Sequence, residues 1–182
     1  MSTTKILIAG FGGQGVLFTG KALAYTGLKA GKEVSWLPSY GPEMRGGTAN
    51  CSVTISDEPI GSPIVDKPNV LIAMNLPSLE KYGKETEKNG YIIFDSSLIM
   101  TQDVGDEVIT IGIPAAKLAS DNGIEGLANM IILGKVLKET KILTVEQVKS
   151  SLSQMIPAKR AEMLNKNIKA IELGYNLSLI HI

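Results

Sequence analysis

Ile6-Leu7-Ile8-Ala9-Gly10-Phe11-Gly12-Gly13-Gln14-Gly15-Val16 is the stretch whose reading decides the fold. Residues 6–9 are a continuous apolar run bounded by glycine, the pattern of a strand buried on both faces in a parallel sheet. The next six residues fit G-x-G-x-x-G, after a strand and before a helix over 15–30 whose small residues Gly20, Ala22, Ala24 and Gly27 suit close packing on a sheet. Glycines let a backbone turn tightly and approach a phosphate, and the helix N-terminus that follows offers free N–H groups. A dinucleotide reading also needs a carboxylate at the end of the second strand to hold a ribose. Leu37-Pro38-Ser39 stands there, and the nearby acid, Glu33, opens that strand. Three readings of the turn stay open: a dinucleotide site, close helix–sheet packing with no ligand, and a surface that meets a ligand or chain supplied by an assembly.

Working outward, the pattern predicts a second strand over 33–37, closed by Pro38, and an irregular loop over 38–47. Residues 49–56 alternate: Ala49, Cys51, Val53 and Ile55 form an apolar face, while Asn50, Ser52, Thr54 and Ser56 form a polar face towards water, a ligand or another subunit. Cys51 is expected to be a buried structural thiol. Further buried strands are predicted over 70–74, 91–94 and 108–111, with a polar helix over 77–88 and another opened by Pro114. Leu127, Met130, Ile131, Gly134 and Leu137 recur at helical spacing; Thr144 with Gln147 is a capping box. Leu164, Ile168, Ile171 and Tyr175 give the stripe of a last helix. The fold class is therefore α/β: a three-layer, Rossmann-like domain over 1–176 with a mostly parallel central sheet and a helical C-terminal part. Residues 177–182 form an apolar tail, either a docking segment or a non-native extension.

Composition narrows the chemistry. Among 182 residues, 18 Lys and Arg balance 18 Asp and Glu, which gives no long-range attraction to nucleic acid or to an anionic membrane. The N-terminal apolar run is too short for a signal sequence or a membrane span, so the chain is placed in the cytoplasm. Cys51 is the single cysteine and His181 the single histidine. One thiol cannot hold an iron–sulfur cluster, and a His-based metal site or a Ser-His-Asp device lacks its parts.

The most unusual stretch is Ser39-Tyr40-Gly41-Pro42-Glu43-Met44-Arg45-Gly46-Gly47. Gly41-Pro42 and Gly46-Gly47 fix a turn at each end and present Glu43, Met44 and Arg45 between them. The planar guanidinium of Arg45 suits carboxylate or phosphate. The alternatives are an internal Glu43–Arg45 pair and a solvated loop.

Gly12-Gly13-Gln14-Gly15-Val16, followed by Tyr40-Gly41-Pro42-Glu43-Met44-Arg45-Gly46-Gly47, resembles the gamma subunit of 2-oxoacid:ferredoxin oxidoreductases. The likeness continues through Ser62-Pro63, Lys81-Tyr82, Ser96-Ser97-Leu98, Ile113-Pro114-Ala115 and Asn129-Met130. It implies an accessory subunit of a complex that decarboxylates a 2-oxoacid oxidatively to acyl-CoA and reduces ferredoxin. Thiamine diphosphate, Mg²⁺ and iron–sulfur clusters would sit in partner subunits: alpha, beta and a ferredoxin-like delta chain. Coenzyme A would be a co-substrate that this chain helps to accommodate. No residue of the chain is expected to be catalytic. The residues expected to meet a ligand or a partner are Gly12, Gly13, Gln14, Gly15, Tyr40, Gly41, Glu43, Met44, Arg45, Gly46 and Gly47. The competing class is a free-standing NAD(P)- or flavin-dependent oxidoreductase using the glycine turn.

Overall fold

The computed structural model describes residues 3–40, 48–100, 104–105 and 107–178. Its centre is a six-stranded sheet in the order β2-β3-β1-β4-β5-β6. The strands are β1 (Thr3–Phe11), β2 (Glu33–Tyr40), β3 (Thr48–Ser56), β4 (Val70–Ala73), β5 (Tyr91–Asp95) and β6 (Ile109–Ile113). The pairs β1–β4, β4–β5 and β5–β6 are parallel, and β3 runs antiparallel to both β1 and β2. The sheet is thus mostly parallel, with one reversed strand inserted beside β1.

The α-helices are α1 (Val16–Lys29), α2 (Leu76–Tyr82), α3 (Ala115–Asp121), α4 (Ala128–Thr140), α5 (Val145–Met155) and α6 (Ala161–Asn176). The pleat sends Ile6, Ile8, Cys51, Val53, Ile72 and Ile93 to one face, where residues of α1, α4 and α5 close the larger core. Leu7, Leu71, Ala73, Ile92 and Phe94 point to the other face and meet Leu79 of α2 and Ile99. Helices on both faces give the expected three layers, with α6 stacked outside against α4.

The α4–α6 contact rests on two glycines. A Cβ at Gly134 would collide with the carbonyl oxygen of Ile171, and one at Gly174 with that of Ile131. Absent side chains let the backbones approach each other directly, and this rotates α6 from its predicted stripe. Asn167, Ala170, Ile171 and Gly174 are buried, while Tyr175 is partly exposed. Lys135 is buried in α4, where Glu139 lies 2.7 Å from its Nζ and the Leu177 carbonyl 3.4 Å away. A buried ammonium needs such partners, and the contact fastens the first residue of the expected tail at the C-terminus of α6.

Four further expectations need correction. Pro38 does not close β2, which runs on to Tyr40; β2 is an edge strand, where a missing N–H is tolerated. The helix predicted over 77–88 stops at Tyr82 and tightens into a 3₁₀ turn, Gly83–Glu85. A Cβ at Gly83 would stand 2.8 Å from Val104 Cγ1, and Glu87 N–H is drawn away to the Pro68 carbonyl at 2.8 Å. The third correction concerns the polar face of β3, which is covered from within the chain. Ser52, Thr54 and Ser56 are buried, Asn50 Nδ2 donates to the Tyr82 hydroxyl of α2 at 3.3 Å, and Glu58 to Ile64 fold beside Thr54 and Ser56. The last is β6, which runs Ile109–Ile113 where 108–111 was expected, so it ends beside Asp95 of β5.

Candidate functional site

The carboxyl ends of β1 and β4 open a crevice where the sheet's connections part to opposite sides, the usual ligand position in open α/β sheets. Beside it, on the β3 side of the turn, Gly12, Gly13, Gly15, Val16, Leu17, Phe18, Phe11 and Ala49 line a cleft of about 250 Å³. Gly13 takes φ +95° and Gly15 φ +75°, left-handed values that let the chain turn directly from strand into helix. Nothing lies within 4 Å of where a Gly13 Cβ would project. Gly15 is the N-cap of α1 and supplies no side-chain cap, and the first turn carries no acidic residue. The N-terminal N–H groups of a fourteen-residue helix therefore border this cleft.

Gln14 turns inward. Its Oε1 accepts from Phe11 N–H at 2.7 Å and from Asn75 Nδ2 at 3.3 Å, and its Nε2 donates to the Met74 carbonyl at 3.0 Å. Asn75 also caps α2, accepting from Ser78 N–H at 2.9 Å. Asn129 of α4 donates to the Gly15 carbonyl at 3.3 Å and to Thr19 Oγ1 at 3.0 Å, and its amide occupies the space a Gly15 Cβ would need.

The second sequence motif reaches the same end of the sheet. Phe11 pairs with Thr48, Gly10 with Ala49, and Ala49 with Tyr40. Residues 40 and 48 are the two legs of a hairpin whose base adjoins the glycine turn, and Ala49 lines the cleft. Gly41, Glu43, Met44, Arg45, Gly46 and Gly47 lie outside the described residues, as does His181.

Inserting β3 also answers the dinucleotide reading. In a dinucleotide fold the strand beside β1 brings its carboxyl end, with an acid, to the ribose. Here the neighbour is reversed, and the position beside Ala9 is held by Asn50, beyond which comes Ser39 of β2. The end of β2 is thus displaced by two strand spacings, about 10 Å, and carries Leu37-Pro38-Ser39.

Cys51 is fully buried beneath Gly20 of α1. Burial pushes its thiol up to about 11, against a smaller downward pull from a hydrogen bond with Trp36. That is an inert thiol, as expected. Among the described residues no group of three or more His, Cys, Asp or Glu side chains could hold a metal ion, and no helix is long and apolar enough to cross a membrane.

Sequence reasoning passed over Asn75 and Asp95. Asp95 is fully buried at the end of β5, its two oxygens accepting from Ser97 N–H and Ala116 N–H at 2.9 Å each, so it ties β5 to the start of α3. The available signal was a polar residue ending each apolar run; Asn75 is also followed three residues on by Ser78.

Residues 5–177 match the family described as pyruvate ferredoxin/flavodoxin oxidoreductase. The chain is 37% identical, over 93% of its length, to ketoisovalerate oxidoreductase subunit VorA of Methanothermobacter thermautotrophicus, and it spans 35% of that protein. The gamma subunit of a keto/oxoacid ferredoxin oxidoreductase from Geobacter sulfurreducens PCA superposes with a TM-score of 0.80 at 25% identity, covering 94% of this chain and 96% of that one. The same fold recurs in 2-oxoglutarate:ferredoxin oxidoreductase from Magnetococcus marinus, solved with 2-oxoglutarate, coenzyme A and succinyl-CoA bound. That match has a TM-score of 0.87 at 24% identity, covering 96% of this chain and 30% of that one.

Proposed function

The chain belongs to the pyruvate ferredoxin/flavodoxin oxidoreductase family, and from that premise we propose that it is the gamma component of a 2-oxoacid:ferredoxin oxidoreductase. In this reading it performs no chemistry alone. Its one cysteine and one histidine leave the clusters and the thiamine diphosphate with Mg²⁺ to alpha, beta and ferredoxin-like delta partners. Its own contribution is a wall of the coenzyme A site, formed by Gly12, Gly13 and the first turn of α1 on one side and the Arg45 hairpin on the other. Coenzyme A carries phosphates, and free helix N–H groups beside an open glycine backbone suit a phosphate oxygen.

The observation that carries the reading is the register. It brings the base of the Tyr40 hairpin beside Gly10 and Phe11, so the chain enters and leaves the second motif next to the glycine turn, and Ala49 from that base lines the cleft. The test is Arg45→Ala in the reconstituted complex. A charge-assisted contact is worth about 1.5–3 kcal/mol, so the KM for coenzyme A should rise roughly ten- to a hundredfold, and Arg45→Lys should restore part of it. Dissociation of the subunit on gel filtration would instead assign Arg45 to a partner interface. Unchanged assembly and unchanged coenzyme A kinetics would show Arg45 to be a solvated loop residue.

A further inference from the structure

We propose that Gln14 does not meet the ligand but acts as a clamp, its side-chain amide joining the carboxyl ends of β1 and β4 so that the glycine turn is held open beside the cleft. The inference rests on the reading above only in naming coenzyme A as the ligand.

The backbone shows where a clamp is needed. The bond from Met74 N–H to the Ala9 carbonyl, 2.9 Å, is where the β1–β4 ladder ends. Beyond it β1 enters the glycine turn and β4 enters α2, and two diverging chains have no ladder to hold them together. Gln14 spans this fork. Its Oε1 spends both lone pairs on Phe11 N–H and Asn75 Nδ2, and its Nε2 reaches Met74, the last residue before Asn75. Glutamine is long enough to fold back under the turn and carries an acceptor and a donor on one planar group. Glutamate lacks the donor, and leucine lacks both.

Gly10 supports the assignment independently. A Cβ there would stand 2.7 Å from Gln14 Oε1 and 2.8 Å from Met74 Cβ. The first glycine of the motif thus leaves room for the Gln14 side chain, while at the far end the Asn129 amide holds the Gly15 carbonyl. Both ends of the turn are pinned by amides from behind. Gly12 and Gly13, in the middle, remain on the cleft. A turn fixed before the ligand arrives pays less ordering entropy when it binds.

The experiment compares hydrogen exchange at the Phe11 amide of the full chain, followed by NMR, with the coenzyme A kinetics of the reconstituted complex. Gln14→Met keeps the volume and removes all three bonds. Phe11 exchange should quicken on the order of tenfold, the worth of one neutral hydrogen bond, with a rise in the KM for coenzyme A and little change in kcat. Gln14→Glu keeps the acceptor for Phe11 and Asn75, so Phe11 should stay protected even if Gln14→Met folds poorly. The clamp is wrong if Gln14→Glu quickens Phe11 exchange as much as Gln14→Met does, or if Gln14→Met leaves Phe11 protection unchanged. In the latter case a fall in coenzyme A affinity would assign Gln14 to the ligand. Faster Phe11 exchange with unaltered coenzyme A kinetics upholds the clamp and overturns the assignment of coenzyme A to the turn.

Discussion

Two regions of this chain depend on glycine for opposite reasons. At the turn after β1, Gly13 has φ +95° and open space where its side chain would be. At the crossing of α4 and α6, Gly134 and Gly174 have ordinary helical backbones and no room at all, each abutting a carbonyl of the other helix. The first region uses glycine for backbone shape and for access to the cleft. The second uses it for the distance of closest approach. A glycine read from sequence is therefore two hypotheses, and only its neighbours choose between them.

Substitution by alanine separates them, and the largest effect belongs to the helix crossing. Helix propensity alone says Gly174→Ala should stabilise by about 1 kcal/mol. Packing reverses the sign, because the new methyl would overlap the Ile131 carbonyl. We expect a net loss of about 3 kcal/mol, or roughly 6–12 °C in Tm by thermal denaturation. An unchanged or raised Tm would mean that α6 stands further from α4 than described here.

A smaller effect is expected at Gly20, whose added Cβ would meet Cys51 Sγ. Gly20→Ala should cost about 1–2 kcal/mol. Combining it with Cys51→Ala removes the obstructing sulfur, and a double-mutant cycle in urea should show a favourable coupling of about 1 kcal/mol. Strict additivity would break the assignment of this contact. The smallest loss of stability is expected at Gly13→Ala. No atom obstructs the methyl, so only the left-handed backbone resists, at about 1 kcal/mol. That variant should unfold almost as the parent does while binding coenzyme A more weakly in the complex. If it proves as destabilised as Gly174→Ala, the turn is packed in the same sense as the helix crossing and the contrast drawn here fails.

Much of the fold was legible because the local signals agree with each other. The apolar run 6–9, the alternation along 49–56 and the Thr144–Gln147 capping box all recur in the structure, the last with hydrogen bonds of 2.8 and 3.2 Å. Of the candidate site, the sequence picked out Gly12, Gly13 and Gly15, which line the cleft, and it grouped Gln14 with them as a residue meeting a ligand or a partner. Its inward bonds run to Met74 and Asn75, sixty residues away, and no local pattern encodes such partners. Pro38 misled for a similar reason: a proline breaks a central strand but not an edge strand, and edge position is a property of the whole sheet.

The sequence by itself determined the alternation of strands and helices, the glycine turn and the scarcity of cluster- and metal-binding side chains. These depend on side-chain periodicity, on backbone freedom at single positions and on composition, all local or additive. Only the tertiary structure decided that β3 enters reversed beside β1, that the Tyr40 hairpin therefore starts next to the glycine turn, and that Gly134 meets Ile171. Those are relations between residues distant in sequence, fixed by the packing that buries the most apolar surface while pairing the buried polar groups.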